Sequence, residues 1–175
     1  MKKKFAALMV CLMMFAGVGS AYANGAAPAQ PVNESMMESG ETAFHVNKFE
    51  VLKEFRDELH QINALRAERL GLKKQIVQKQ DQILDLTLTA RENGDKEALK
   101  QAAGVKKQIH TVNAELDALW KKVGNEKKAF KLAIKDGSKE QAQKHIDSAI
   151  AIFGEINGKL GQKVGLFDQI IAILS

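Results

Sequence analysis

The clearest regularity in the chain runs from residue 142 to residue 174, where one series of positions alternates steps of four and three. Ala142, Ile146, Ala149, Phe153, Ile156, Leu160, Lys163, Phe167, Ile170 and Leu174 make up the series, and all but Lys163 are apolar. An α-helix turns once in about 3.6 residues, so such a series lies along one helix face. The flanking Ile150, Ile152, Val164, Leu166, Ile171 and Ile173 are apolar as well. A stripe of that width predicts burial against two neighbours rather than one.

Two earlier stretches carry the same period. One holds Leu99, Ala102, Ile109, Val112, Leu116, Leu119, Val123 and Phe130. The other holds Leu52, Phe55, Leu59, Ile62, Leu65, Leu72, Ile76, Ile83, Leu86 and Ala90. Around Leu59, Ile62 and Leu65 two steps of three follow one another, a stammer that predicts local overwinding. Between the stretches stand two short turn signals, Asn93-Gly94-Asp95 and Asp136-Gly137-Ser138. Each offers a glycine to end one helix and a capping side chain to begin the next, and Ser138 with Gln141 matches the capping-box spacing. Arg91 and Lys135 fall in last turns, Glu97 and Glu140 in first turns, as helix dipoles favour. The pattern predicts three helices near 43–92, 96–135 and 139–174.

Short turns make consecutive helices antiparallel neighbours. Reflection about the turns sets Arg69 level with Leu119 and Glu155, and His60 level with Lys128 and Ile146. The expected fold is all-α: an antiparallel three-helix bundle over residues 42–175, spectrin-like or a coiled-coil rod. At 1.5 Å per residue its shortest helix spans about 54 Å.

The N-terminus changes the setting. Lys2, Lys3 and Lys4 precede an apolar run from Phe5 to Val18, and Ala21-Tyr22-Ala23 supplies the small residues of a cleavage site. These are the three parts of a secretory signal peptide, read here as residues 1–23, with Asn24 as the first mature residue. The apolar run falls short of the roughly 20 residues of a membrane span. Cys11 follows Met9-Val10 rather than the small residue of a lipoprotein signal, so lipidation is not expected. It is also the only cysteine, and its loss leaves a mature chain with neither disulfide nor thiolate. Residues 24–41 hold both prolines and no sustained apolar period, which reads as a flexible leader.

Charge then counts for less than it first suggests. Three of the 26 Lys and Arg lie in residues 1–23 and none of the 21 Asp and Glu does, so the net charge falls from +5 to +2. That gives no nucleic-acid footprint and leaves only a weak attraction to an anionic envelope surface.

Candidate chemistry is sparse. His45, His60, His110 and His145 include no pair spaced i to i+3 or i+4, the usual arrangement for a metal on one helix. The reflection brings His60 near His145, an arrangement read as boundary histidines rather than a site. Met36-Met37 offers two soft thioethers in the leader, too little for a copper site. No Gly-rich loop after a strand and no nucleophile elbow occurs, so no enzyme and no cofactor is expected. Asp81 and Asp85 read as a solvated helix face among lysines. Arg69, Lys79 and Lys163 fall on seam positions, where their stems are expected to pack and their charges to reach water. Pairing of Arg69 with Glu155, fixing register, is the alternative.

One further pattern stands opposite the last seam. Ala151, Gly158, Gly165 and Ala172 recur every seven residues, with Gly154 and Gly161 beside them. Each glycine costs a helix about 1 kcal/mol relative to alanine, while bare surface at this spacing lets another backbone approach closely. These six residues form the candidate interaction face.

Size, export signal and helical content resemble the Spy and CpxP class of periplasmic helical chaperones. The string nearest to that class's LTxxQ motif, Leu86-Thr87-Leu88-Thr89-Ala90, lacks the glutamine, so membership does not follow. Three long helices with short turns also look like a spectrin-type repeat, a likeness of architecture only. The expected function is therefore non-enzymatic. The chain reads as an exported periplasmic or extracellular helical protein that self-associates or binds protein partners in the envelope. An ATP-independent holdase is the alternative.

Overall fold

The computed structural model describes residues 48–175, which form four α-helices and no strand. In chain order these are α1 (Lys48–Glu54), α2 (Arg56–Glu92), α3 (Lys96–Lys135) and α4 (Lys139–Leu174). The all-α class expected from the periodicity is what the chain adopts. The residues expected to form a signal peptide (1–23) and a leader (24–41, with Met36-Met37), and His45, lie outside the described residues.

The first predicted helix is divided at Phe55. Its backbone departs from helical values there, to φ −102° and ψ 25°. Yet the Phe55 N–H still donates to the Val51 carbonyl at 3.1 Å, and the Leu59 N–H to the Phe55 carbonyl at 3.0 Å. The break is thus a distortion within a continuing ladder, not a turn. The side chain at this point is held in the core. Phe55 is only 1% exposed and meets Phe130 edge to face, with ring centroids 5.2 Å apart, and an aromatic edge contact of this kind adds to simple burial. The irregularity falls just ahead of the stammer at Leu59 to Leu65, whose successive steps of three leave a regular helix poorly aligned with its seam.

Both predicted turns occur where expected, and for the same reason. Gly94 and Gly137 have φ of 71° and 70°, the left-handed region that a side chain disfavours. At the first, Gly94 donates to the Arg91 carbonyl and Asp95 to that of Ala90; at the second, Gly137 donates to Ile134 and Ser138 to Ala133. This is the Schellman arrangement, which occupies the last carbonyls of α2 and α3. The two N-caps differ. The Asp95 carboxylate accepts from the Ala98 N–H at 2.9 Å, whereas Ser138 makes no side-chain cap bond. The expected capping box of Ser138 and Gln141 is therefore absent, and α4 starts without a reciprocal cap.

Contacts between helices fix their directions. From α1 and α2 to α4 the residue numbers climb together: Glu54 with Lys139, Glu58 with Gln143, Leu65 and Glu68 with Asn157, Lys79 with Asp168. From α3 to α4 they run oppositely: Glu126 with His145, Glu115 with Lys159, Asn113 with Lys163. Helix α4 packs along both α2 and α3, which touch one another only sparsely. The double-width stripe on α4 has this physical origin, since one face must cover two partners. Ile146, Ile156 and Ala142 are fully buried, and Ala149, Phe153, Leu160, Phe167 and Ile170 are buried with them. Ala102, Ile109, Val112, Leu116, Leu119 and Val123 complete the core from α3, and Ile62 and Ile76 from α2.

Candidate interaction surfaces

Midway along the core, three helices meet around a charge. Arg69 is 6% exposed, and its guanidinium carbon lies 5.0 Å from the ring centroids of both Trp120 and Phe153. Those rings meet edge to face at 6.1 Å. Burial, and then the neighbouring charge of Arg66, hold the Arg69 guanidinium below its usual pKa. Its Nη1 has no hydrogen-bond partner. The side chain thus keeps one guanidinium nitrogen away from water and makes no ion pair with Glu155, which is exposed. The alternative pairing with Glu155 does not form, and the guanidinium lies instead beside the electron-rich faces of two aromatic rings.

Asn157 is the second polar residue of this layer and was not anticipated. At 4% exposure its Nδ2 donates to the Leu65 carbonyl at 2.9 Å and to Glu68 Oε2 at 2.8 Å. An amide can be buried at a seam when backbone and carboxylate acceptors await it. Its Oδ1 remains without a partner.

The other seam cations behave differently from Arg69. Lys79 pairs with Asp168. Lys163, half-buried, donates to Asn113 Oδ1 at 2.8 Å and sits 5.9 Å from the Phe167 ring centroid. Burial lowers its pKa from the ordinary lysine value. Folding therefore disfavours its charged form, and the unfolded chain binds more protons between the depressed pKa and the ordinary one. Stability contributed at this site rises with pH across that interval and is flat below it. Lys73 and Lys127 are lowered too, each first by burial and then by a neighbouring cation. The expected result is that Lys163→Met flattens, but does not abolish, the alkaline rise in stability measured by denaturant unfolding at a series of pH values.

The three described histidines do not gather together. His60 and His110 are exposed. His145 Nδ1 lies 2.7 Å from Glu126 Oε2 across the α3–α4 contact, so its facing group is a carboxylate and not His60. Among the described residues no three potential ligands gather as a metal site would require.

The small-residue face of α4 is open along its length. Ala151, Gly154, Gly158, Gly165 and Ala172 are exposed and Gly161 is half-exposed. A Cβ built at Gly154, Gly158, Gly161 or Gly165 meets no atom within 4 Å. Nothing among the described residues fills the space of the missing side chains. Replacing Gly158 and Gly165 together by alanine should raise the stability of the isolated chain by up to about 1 kcal/mol per site, through helix propensity and a less flexible unfolded state. Thermal unfolding beside the parent measures it.

A second outer surface went unread in the sequence. Leu70, Val77, Leu84 and Leu88 are 52%, 63%, 57% and 50% exposed on α2. The spacing that could have revealed them is the heptad step from 70 to 77 to 84, masked by the stronger core series on the same helix. Phe49 and Leu132 are also largely exposed. No described helix is long and apolar enough to cross a membrane. In comparisons with known proteins the chain matches no family model, no curated protein and no solved structure.

Proposed function

We propose that the chain is an exported, non-enzymatic helical protein that acts as a structural or protein-interaction module of the cell envelope or exterior. In this reading residues 1–23 are removed on export, residues 24–41 form a flexible leader, and the three long helices stand as an antiparallel bundle. One observation carries it above the rest. The facing sides of the helices bury their apolar residues, yet the outer face of α2 keeps four large apolar side chains at least half exposed. Clustered apolar side chains on an outer surface favour association, whereas single ones would need no explanation. The small-residue face of α4 supports the same reading as a second surface that admits close approach.

The holdase reading has its own support, since Phe49 and Leu132 add exposed apolar surface away from the α2 series. An unfolded client is held by such surface without nucleotide. The two readings separate in one assay. A chemically unfolded test protein is diluted into buffer with and without the purified chain, and light scattering follows its aggregation. An interaction module leaves aggregation unchanged at equimolar ratio and shows its own mass rising with concentration. A holdase suppresses aggregation at that ratio. A chain that does neither is not what we propose.

A further inference from the structure

The apolar positions on the outside of α2 belong to a longer series whose charges specify what covers it. Asn63, Ala67, Leu70, Lys74, Val77, Asp81, Leu84, Leu88 and Arg91 alternate steps of four and three. This is a second heptad seam on a helix that already has one facing the core. Ile62, Arg69 and Ile76 mark the inner seam and are buried, while every residue of the outer series is exposed. The series covers about 42 Å of helix at 1.5 Å per residue.

We infer that this seam binds the same seam of a second copy of the chain, with the two α2 helices antiparallel about a two-fold axis at Val77. The inference rests on the reading of the protein as an interaction module and names its partner. A two-fold interface must be self-complementary, each residue i meeting j of the other copy while j meets i. The outer series satisfies that condition from end to end. With Val77 facing Val77 of the second copy, Leu70 faces Leu84, and Asn63 faces Arg91. One residue off level, about 1.5 Å along the axis, Lys74 faces Asp81 and Ala67 faces Leu88. The two polar residues that interrupt the apolar seam thus become two symmetric ion pairs. Neither Lys74 nor Asp81 makes an ion pair with a described residue of its own chain.

The flanks agree. About the same axis Lys73 lies one residue off level with Gln80 and Arg66 one residue off level with Thr87, while Gly71 and Asp85, and Gln78 and its own copy, lie two residues off level, with no like charges brought together. A parallel pairing sets Lys74 against Lys74, Asp81 against Asp81 and Arg91 against Arg91. Seam charges of this kind decide orientation and register by repelling the wrong arrangement as much as by favouring the right one.

The test is a charge swap, followed by sedimentation velocity on protein purified from cells expressing the full sequence. The parent should dimerise. Lys74→Asp and Asp81→Lys should each weaken the dimer by about tenfold or more, since like charges then face each other twice. The double variant Lys74→Asp, Asp81→Lys should recover the parent's affinity, and the two single variants mixed should form a heterodimer. All these positions are exposed, so circular dichroism should match the parent throughout. A cysteine probe decides the orientation separately. Under oxidation Val77→Cys should yield a linked dimer, and Leu70→Cys should yield none beyond the parent. In the antiparallel pair the two copies of residue 70 lie about 21 Å apart, far beyond disulfide reach. A monomeric parent, single swaps without effect, or a double swap as weak as the singles would overturn the inference. A monomeric parent that still suppresses client aggregation would overturn it while leaving the holdase reading intact.

Discussion

Phe153→Ala should lower the folding free energy by about 3–5 kcal/mol, the usual cost of deleting a buried aromatic side chain. The residue is 2% exposed and stands where all three long helices meet. Its ring contacts Trp120 of α3 edge to face and supports the Arg69 guanidinium of α2 at 5.0 Å. Truncation therefore removes apolar burial, an aromatic pair and half of the bed beneath a buried charge. Long helices cannot easily collapse into the gap, because their backbones are held by unbroken hydrogen-bond ladders on both sides of it. Denaturant unfolding of variant and parent measures the difference. A change within about 0.5 kcal/mol, the range of ordinary surface substitutions, would contradict the placement of this layer.

The second large effect has the opposite sign. Arg69→Met should raise stability by about 1–3 kcal/mol. Burying a guanidinium without a carboxylate costs several kcal/mol, against which the two rings return about 2 kcal/mol each. Methionine fills similar space, packs well against aromatic rings and leaves no donor orphaned. Arg69→Ala should instead destabilise the fold, because it opens a cavity beside Trp120 and Phe153. The contrast between the two variants separates volume from charge. Loss of stability in both would mean that the guanidinium itself holds the layer together.

What the sequence revealed, and what it concealed, follows from how apolar spacing works. The seam of α4 was legible residue by residue because its neighbours are apolar on both sides and only Lys163 interrupts it. The turns were legible because Gly94 and Gly137 must adopt positive φ, which few residues other than glycine do readily. The surroundings of Arg69 were not legible, since nothing in one helix's pattern shows that Trp120 and Phe153 converge on it. Asn157 escaped notice for a related reason. Its burial depends on acceptors supplied by Leu65 and Glu68, some 90 positions earlier in the chain. The distortion at Phe55 coincides with the contact of its ring with Phe130 of α3, again a contact that local spacing cannot encode. The outer seam of α2 was hidden by competition: two heptad series share one helix, and Lys74 and Asp81 interrupt the weaker.

These observations also order the two outer surfaces. The small-residue face of α4 is open and costs helix propensity, but its bare backbone carries no charge pattern that selects a partner. The α2 seam has apolar anchors and a specific arrangement of charge. Alanine at Gly158 and Gly165 should therefore leave self-association through α2 unchanged while it stabilises the fold, and it should weaken only partners that dock on α4.

The most direct measurement is sedimentation equilibrium, over a range of concentrations, of the protein recovered from outside the cytoplasmic membrane of the cells that make it. An exported interaction module should be found there with Asn24 at its N-terminus, and its mass should rise from one chain toward two as concentration increases. Protein retained inside the cell with residues 1–23 intact, and a single-chain mass at every concentration, would contradict it.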